Sequence, residues 1–243
     1  MIMTGQKTNS TAPRESAFRL TENRALSAKV NRMRFEGDCG AISAPGQFVS
    51  LLMPEKFLRR PFSVCDWGEG WFTVLVERVG DGTAMLHALP CGTELSVLTG
   101  LGNGFTPVPE STAPLLVGGG SGLSPLVGLA RRLSDTGTKP RVLLGFRDPN
   151  DRFGAELFPG LEVTYAEDVF SALREIPHDQ VYACGSEAMM RELAKRDPAE
   201  GQYAFDVRMG CGFGACMGCS LRTPGGMKRV CKDGPVFRKE DLL

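Results

Sequence analysis

Short runs in which apolar and polar residues alternate fill the first part of the chain. They include residues 18–23, 26–30, 47–53 and 71–79. An apolar side chain at every second position is typical of a half-buried strand, and the Gly, Pro and Asp residues between the runs are typical of turns. Half a dozen such strands in about ninety residues predict a small antiparallel β-barrel over residues 16–108.

The hydrophobic pattern changes after residues 106–112, where two prolines and small polar residues mark a domain boundary. From there, apolar runs of five or six residues alternate with helical segments, which predicts a doubly wound parallel sheet over residues 109–203. The fold class is therefore β plus α/β, and the last strand leads into a small C-terminal module, residues 204–243. We predict strands at 114–118, 141–146, 161–165, 180–184 and 203–207, and helices at 124–133, 170–176 and 187–195.

Charge and hydropathy remove several functional classes. The 28 Lys and Arg residues balance the 28 Asp and Glu residues, so nothing favours binding to nucleic acid or to an anionic membrane. Residues 1–15 are polar and lack the apolar core of a signal peptide, and we expect a mobile tail there. The uncharged residues 111–130 are long enough to span a bilayer, but five glycines and two prolines favour a strand, a loop and a helix start.

Four of the eight cysteines are scattered and four are clustered near the end of the chain. Scattered thiols in apolar or turn contexts are typical of a reducing compartment, so we expect a cytoplasmic protein without a disulfide framework. The scattered cysteines are Cys39, Cys65, Cys91 and Cys184.

The clustered cysteines carry the most specific signal in the sequence. Three of them follow a C-x4-C-x2-C spacing in a glycine-rich segment, and the fourth comes after eleven further residues. This is the plant-type spacing for a [2Fe-2S] cluster. A four-thiolate zinc site is the alternative, although structural zinc usually draws its ligands from two short C-x2–4-C knuckles. The predicted ligands are Cys211, Cys216, Cys219 and Cys231.

A second glycine-rich segment, residues 118–125, joins the first predicted strand and helix of the α/β domain. Glycines let the backbone approach a pyrophosphate, and the helix that follows offers free N–H groups. Ser124 is the expected N-cap and Pro125 the first helical residue. A tight turn without a ligand is the alternative, but the position in the fold favours a nucleotide. The predicted contacts are Gly118, Gly119, Gly120, Gly122 and Pro125.

Two more segments lie where a doubly wound sheet binds its ligand. Arg147 and Asp148 leave the second strand, where Asp148 would bind ribose hydroxyls and Arg147 would contact adenine or a 2′-phosphate, so NADH and NADPH both stay open. Cys184 and Gly185 close the fourth strand, where they would border a nicotinamide. The alternatives are a solvated turn for the first pair and a buried small side chain for Cys184.

In the barrel, residues 59–63 (Arg-Arg-Pro-Phe-Ser) and 80–83 (Gly-Asp-Gly-Thr) attract attention. A guanidinium pairs bidentately with a diphosphate, and the second segment opens a short helix, which is a phosphate-compatible end. Plain turns are the alternative for both. We interpret His87 as structural, because no metal-binding or acid–base partner lies near it in the sequence.

Together these segments resemble the ferredoxin-NADP reductase superfamily and, within it, the electron-transfer subunits of NAD-dependent dihydroorotate dehydrogenase. The resemblance covers nearly all of the chain from residue 16. Two departures are Cys184-Gly185-Ser186, where Cys-Gly-Pro is common, and residues 99–101, where Gly-Pro-Leu is usual. The resemblance rests on residues 60–66, 80–83, 101–105, 118–125, 208–219 and 230–237.

The resemblance implies FAD in the barrel, NAD(H) at the loop that starts with Gly118, and a [2Fe-2S] cluster on the four clustered cysteines. It places Glu77 and its two preceding residues along the flavin, and Gly82 at the pyrophosphate. The full set of implied flavin contacts is Arg60, Pro61, Phe62, Ser63, Leu75, Val76, Glu77, Gly82 and Thr83.

The predicted function is electron transfer between an FMN-containing catalytic subunit, which oxidises dihydroorotate in pyrimidine biosynthesis, and NAD+. FAD exchanges a hydride with nicotinamide and releases electrons singly, so the chain itself needs no catalytic acid or base. The resemblance implies a heterotetramer with two copies of each subunit, and Met217 is expected on the docking surface. The alternatives are a subunit of an NADH-dependent ferredoxin reductase or sulfide dehydrogenase, and a zinc-containing regulatory module.

Overall fold

The computed structural model describes residues 12–243. Its first half is a closed antiparallel barrel of six strands, with one short helix, α1 (Asp81–Ala88), between the fifth and sixth strands. The strands are β1 (Arg14–Ala25), β2 (Val30–Glu36), β3 (Phe48–Leu51), β4 (Arg60–Gly68), β5 (Trp71–Glu77) and β6 (Glu94–Leu101). They pair in the order β1-β2-β5-β4-β3-β6.

The alternation of apolar and polar residues in the sequence determines which side chains face the interior of the barrel and which face its surface. Along β6, every second residue from Leu95 to Leu101 is buried and the residues between are partly exposed. Inside the barrel, the Phe72 ring contacts Phe18 edge-on at 5.1 Å and stacks on Phe35 at 5.3 Å. The predicted tail, residues 1–15, is too long by two residues, because Arg14 and Glu15 already pair with β6. Residues 1–11 lie outside the described part of the chain.

The second half is a six-stranded sheet in the order β14-β11-β10-β7-β8-β9, parallel except for β14. Strand order reverses beside β7, since β8 and β9 extend the sheet on one side and β10 and β11 on the other. The strands are β7 (Pro114–Gly119), β8 (Arg141–Gly145), β9 (Val163–Ala166), β10 (Gln180–Ser186), β11 (Glu200–Asp206) and β14 (Val236–Arg238). The helices are α2 (Ser124–Asp135), α3 (Val169–Glu175) and α4 (Glu187–Arg196).

The C-terminal module is not separate from the sheet. After β11, the chain forms a loop, a hairpin of β12 (Ser220–Thr223) and β13 (Gly226–Arg229), and a short helix, α5 (Val230–Asp233). It then returns as β14, antiparallel to β11. The predicted boundary after residue 203 therefore falls inside β11, and β14, which is only three residues long, was not predicted from the sequence.

Helix α2 packs on strand β4 and so joins the two halves of the molecule. A Cβ atom at Gly128 would lie 2.9 Å from the Trp67 ring, so only glycine lets the helix come this close. Arg131 donates to the Trp67 carbonyl at 2.8 Å and forms an ion pair with Asp66 at 2.8 Å. Residues 111–130 thus belong to β7, a tight turn and α2, and no helix in the described part of the chain is long and apolar enough to cross a membrane.

Candidate functional site

The four clustered cysteines lie as two pairs of thiols. Cys211 and Cys216 contact each other through an N–H to Sγ hydrogen bond in each direction, both at 3.4 Å. Cys231 N donates to Cys219 Sγ at 3.4 Å. A [2Fe-2S] centre takes its four thiolates as two on each iron, so this pairing fits such a centre. Within residues 12–243, no three His, Cys, Asp or Glu side chains are placed to share a single metal ion.

Backbone N–H groups in the cysteine loop already point at sulfur. Ala215 N donates to Cys211 Sγ at 3.3 Å, and Gly218 N donates to Cys216 Sγ at 3.4 Å. The loop needs left-handed backbone at Gly212 and Gly214, with φ values of 78° and 91°. Glycine adopts such angles without steric cost, which explains the glycine-rich sequence between the ligands.

The Cys211 and Cys231 thiols have pKa values shifted in opposite directions. Desolvation acts to raise the pKa of the Cys211 thiol, but hydrogen bonds led by the Cys216 N–H lower it to about 6. Burial raises the pKa of Cys231 to about 12, and the adjacent Cys219 thiol adds to that shift. Metal binds the thiolate, so Cys211 is prepared for a metal, whereas Cys231 must release its proton on binding.

The cysteine loop and the hairpin that follows it expose three large apolar side chains, namely Phe213, Met217 and Met227. Each shows about half of its surface to solvent, with exposures of 53%, 51% and 57%. Met217 lies between two cysteine ligands and has a φ of 62°, which a non-glycine residue adopts only at a cost. We call these three side chains the cluster face.

The second glycine-rich loop is compressed against the protein. A Cβ at Gly122 would lie 2.7 Å from the Cys184 carbonyl oxygen, and one at Gly118 would lie 3.0 Å from Leu123 Cα. Residues Gly120–Leu123 form a 3-10 turn, so the N-cap of α2 is Leu123 and not Ser124 as predicted. Ser124 Oγ instead donates to the Ser63 carbonyl of β4 at 3.2 Å. Pro125 lies in the first turn of α2, where proline is favoured.

A cavity of about 560 Å³ opens beside this loop at the carboxyl ends of β7, β8 and β10. That is the switch point of the sheet, where doubly wound folds bind their ligands. Asp148 accepts hydrogen bonds from Asn150, and Arg147 is exposed beside it. Among the predicted contacts, Gly119, Gly120, Arg147 and Gly185 line the cavity.

The remaining predicted nucleotide contacts lie behind this cavity wall. Gly118, Gly122 and Pro125 are buried, and Cys184 is only 3% exposed in the apolar core. Burial raises the pKa of the Cys184 thiol, which keeps it protonated. A contact between Cys184 and a nicotinamide stays a prediction.

The two arginines of the barrel segment are used differently. Arg59 spans β1, β3 and β6, because its guanidinium donates to Glu15 at 2.5 Å and to the Ser50 and Ser96 carbonyls. Arg60 lies against the start of α1, where a Cβ at Gly82 would be 3.2 Å from Arg60 Nε. Arg60 and Gly82 thus form one surface, as the resemblance implies for a pyrophosphate site.

The other implied flavin contacts surround this surface to different extents. Leu75 and Val76 are buried in the core, and the Val76 carbonyl contacts His87 Nε2 at 2.8 Å, which supports a structural role for that histidine. Thr83 Oγ1 accepts from the N–H groups of residues 79 and 80 and so closes the turn that begins α1. Pro61, Phe62 and Ser63 are half-buried in β4.

The barrel and the nucleotide cavity meet at two carboxylates that sequence reasoning did not single out together. Ser121 donates to Glu77 Oε2 at 3.0 Å, which links the glycine-rich loop to β5. Asp206 lines the nucleotide cavity and also a second cavity of about 530 Å³ next to Arg60 and Pro61. Desolvation raises the pKa of Asp206, and the Glu77 charge adds to that shift. The only signal for Asp206 was its place at the end of a parallel strand.

Comparison with known proteins decides the family. A family model described as the iron–sulfur cluster binding domain of dihydroorotate dehydrogenase B matches residues 206–243. The electron transfer subunit of dihydroorotate dehydrogenase B (NAD(+)) from Bacillus caldolyticus is 38% identical over 223 residues, 82% of this chain and 86% of that protein. The chain belongs to this family. The subunit of the same name from Listeria innocua is 31% identical, over 94% of this chain and 98% of that protein.

Solved structures agree with the fold. The structure of an NADH-dependent reduced ferredoxin-NADP oxidoreductase has a TM-score of 0.82 and 26% identity, and the match covers 93% of this chain and 89% of that one. Phthalate dioxygenase reductase, with a TM-score of 0.58 and 19% identity over 79% of this chain and 70% of that one, shares the fold.

These comparisons confirm the predicted family, the fold class and an oxidoreductase electron-transfer subunit with an iron–sulfur domain. The predicted cofactor set of FAD, a [2Fe-2S] cluster and NAD(H) agrees with them. An electron transfer subunit also implies a catalytic partner subunit.

Proposed function

We propose that this chain carries electrons between an FMN-containing catalytic subunit that oxidises dihydroorotate and NAD+. One observation supports the proposal, namely that a cavity of about 530 Å³ lies between predicted flavin contacts of the barrel and the residues that lead into the cysteine loop. Arg60 and Pro61 bring the barrel to it, Asp206 is shared with the nucleotide cavity, and Met209 begins the cysteine loop. Two predicted flavin contacts, a residue shared with the nucleotide cavity and a residue two positions before Cys211 therefore meet here, which supports electron passage between the proposed sites.

The residues present fit the groups that the family implies. Arg60 and the α1 end would hold the FAD pyrophosphate, the Gly119–Gly120 backbone would face NAD(H), and the two thiol pairs would hold the [2Fe-2S] cluster. When bound, FAD exchanges a hydride with nicotinamide and electrons singly with an iron–sulfur centre. The chain's own part is to bind, orient and shield these groups.

The partner is proposed to dock on the cluster face, defined above as Phe213, Met217 and Met227. Large apolar side chains exposed on a loop that carries predicted cluster ligands and on the adjoining hairpin are suited to a protein–protein contact. A heterotetramer with two copies of each subunit and a cytoplasmic location belong to the same proposal.

The test is anaerobic purification with flavin and metal analysis, followed by assay with the catalytic subunit. We expect one FAD and about two irons and two sulfides per chain, as one [2Fe-2S] centre requires, and NAD+ reduction that depends on dihydroorotate. A colourless protein that contains zinc and no flavin would refute the proposal and favour a regulatory module.

Adjacent arginines provide matched variants for the flavin site. Arg60→Ala is expected to weaken FAD binding by about tenfold or more, because it removes a charge-assisted contact to the diphosphate. Arg59→Ala is expected to destabilise the barrel while the folded fraction keeps its FAD affinity, because Arg59 contacts Glu15 and Ser96 instead. Equal FAD affinity in the Arg60→Ala variant and the parent would place the pyrophosphate elsewhere.

The match to the NADH-dependent reduced ferredoxin-NADP oxidoreductase favours a second candidate, in which the partner is a ferredoxin or another redox protein. The cofactor sites would be the same, and only the partner would differ. Turnover with ferredoxin or sulfide, and none with dihydroorotate and the FMN-containing subunit, would support it.

A further inference from the structure

Residues 102–113 form the linker between β6 and β7. This linker contacts the segment that follows the last predicted cysteine ligand, Cys231. Asn103 Nδ2 donates to the Val236 carbonyl at 2.8 Å, and Asn103 Oδ1 accepts from Val236 N at 3.0 Å. Asn103 N also donates to the Gly234 carbonyl at 2.7 Å. Asn103 therefore acts toward this segment as a neighbouring strand would, with a reciprocal pair of hydrogen bonds. We call residues 231–237 the cluster arm.

Close packing reinforces these hydrogen bonds. A Cβ at Gly102 would lie 2.6 Å from Pro235 Cδ, and one at Gly46 would lie 3.1 Å from Val236 Cγ2. The backbone of the linker and the cluster arm are thus in direct contact. Cys231 is only five residues before Val236. Because so few residues separate them, a displacement of Val236 is transmitted to Cys231.

A second amide makes the same kind of contact at a different place. Gln202, in the middle of β11, donates from Nε2 to the Thr106 carbonyl at 2.6 Å and accepts at Oε1 from Thr106 N at 2.8 Å. Gln202 is buried, with 7% of its surface exposed. It ties the linker to the parallel sheet, whereas Asn103 ties the linker to the cluster arm. The chain therefore contains its own matched control.

We propose that Asn103 is a positioning residue that holds the cluster arm against the barrel and so sets the distance between the iron–sulfur centre and the flavin. This inference rests on the proposed function. Asn103 touches the backbone of residues 234 and 236 and none of the predicted ligands, so it acts through the arm. Without it, Cys231 and its neighbours can move away from the barrel, and electron transfer slows as the distance grows.

The experiment uses the full chain with its cofactors and compares Asn103→Ala and Gln202→Ala with the parent. After rapid mixing with NADH, flavin reduction and iron–sulfur reduction are followed separately. We expect Asn103→Ala to reduce its flavin at the parent rate and its iron–sulfur centre several-fold more slowly, because electron transfer slows as the distance between the two centres grows. Gln202→Ala is expected to lower the stability of the protein and to keep the rate of iron–sulfur reduction within about twofold of the parent rate.

Two readouts separate positioning from general loosening. In the Asn103→Ala variant, amide hydrogen exchange is expected to speed up at Val236 and its neighbours and not in β10, and the electron paramagnetic resonance spectrum of the reduced centre is expected to change. If Asn103→Ala loses iron, Asn103→Asp serves instead, because it keeps the acceptor for Val236 N and loses only the donor. The rate of iron–sulfur reduction in the Asn103→Asp variant is expected to lie between those of the parent and the alanine variant.

The inference and the proposed function fail in different ways. A parent protein in which NADH never reduces the iron–sulfur centre contradicts the proposed function. A parent that does so, with an Asn103→Ala variant of full iron and flavin content that is equally fast, contradicts only the role of Asn103. An equal slowing in the Gln202→Ala variant also overturns it, because the effect would then belong to the whole linker.

Discussion

Gly122 and Gly212 are required for different physical reasons in two glycine-rich loops of this molecule, residues 118–122 and 210–218. Each begins where a parallel strand ends, β7 for the first and β11 for the second. In the first loop, Gly122 is required by space, because the Cys184 carbonyl leaves no room for a Cβ. In the second, Gly212 is required by conformation, because its φ is 78° and its surroundings are open.

The difference follows from which groups each loop is predicted to present, backbone groups in the first and thiols in the second. The first loop is predicted to present its backbone to a ligand, and it is packed closely against β10 from behind. The second presents thiols, so its backbone must curl until its N–H groups reach sulfur, as Ala215 N does toward Cys211. Glycine content alone therefore does not identify a phosphate loop, and the cause of each glycine has to be found in the fold.

The largest effect that tests this contrast is expected from a ligand in the second loop. Cys216→Ser is expected to lower iron binding by at least about 100-fold, since even residues that only support metal ligands cost 10- to 100-fold. Electron transfer to the catalytic subunit should disappear while NADH still reduces the flavin. Metal analysis and stopped-flow spectroscopy measure both, and Cys91→Ser, at an exposed scattered thiol, is the control. Retained iron in the Cys216→Ser variant would contradict the ligand assignment.

A pair of substitutions in the first loop is expected to have the next largest effect. Gly122→Ala should lower the free energy of unfolding by about 2 kcal/mol, because its Cβ would overlap the Cys184 carbonyl at 2.7 Å. Gly119→Ala has room, since its nearest neighbour is Met189 Sδ at 3.5 Å, and should leave stability unchanged. NADH titration should nevertheless show weaker binding in the Gly119→Ala variant, because the methyl group faces the cavity. Unchanged NADH affinity in the Gly119→Ala variant would show that NADH does not bind at this loop.

A smaller effect is expected where conformation alone demands glycine. Gly212→Ala should destabilise the second loop by about 1 kcal/mol, because its φ of 78° is unfavourable for alanine although no atom lies within 3.7 Å of the added Cβ. The measurement is the rate of iron loss to a chelator, which should rise about fivefold for that energy. Gly225→Ala, in the β12–β13 turn and without a positive φ, is the control. An equal rate for both variants would show that strain at Gly212 is not what the loop requires.

The smallest effect is expected at Asp179, outside both loops. Its carboxylate accepts from Ser111 Oγ and from the Thr112 and Ala113 N–H groups, which anchor the segment leading into β7. Desolvation acts to raise the Asp179 pKa, but these hydrogen bonds outweigh it and lower the pKa from 3.8 to about 2. A lowered pKa in the folded state means that the stabilisation exists above about pH 4 and is lost as the pH falls toward 2.

Asp179→Asn should therefore lower the free energy of unfolding at pH 7, but only by about 0.5 kcal/mol, because the group is exposed to solvent. Urea unfolding at several pH values measures the difference, which should shrink between pH 4 and pH 2. A difference that stays constant over that range would show that the Asp179 charge contributes nothing. NADH affinity and iron content should match the parent at neutral pH.

The two halves of the fold could be predicted from the sequence alone, and the cysteine spacing predicts the cluster ligands. Alternation and helical period are local properties of the chain, and so is the spacing from Cys211 to Cys219, because a tight loop must supply neighbouring ligands. The family resemblance then followed from several short segments in a fixed order.

Only the tertiary structure decided how these parts meet. Ser124 was predicted as an N-cap, but its hydroxyl donates to the Ser63 carbonyl. The local sequence does not distinguish the environments of Arg59 and Arg60, whereas the structure pairs Arg59 with Glu15. Asn103 and Val236 are 133 residues apart, and β14 is too short to leave a pattern of its own. Such contacts depend on which distant backbone groups are brought within hydrogen-bonding distance, and no local period or spacing in the sequence records that.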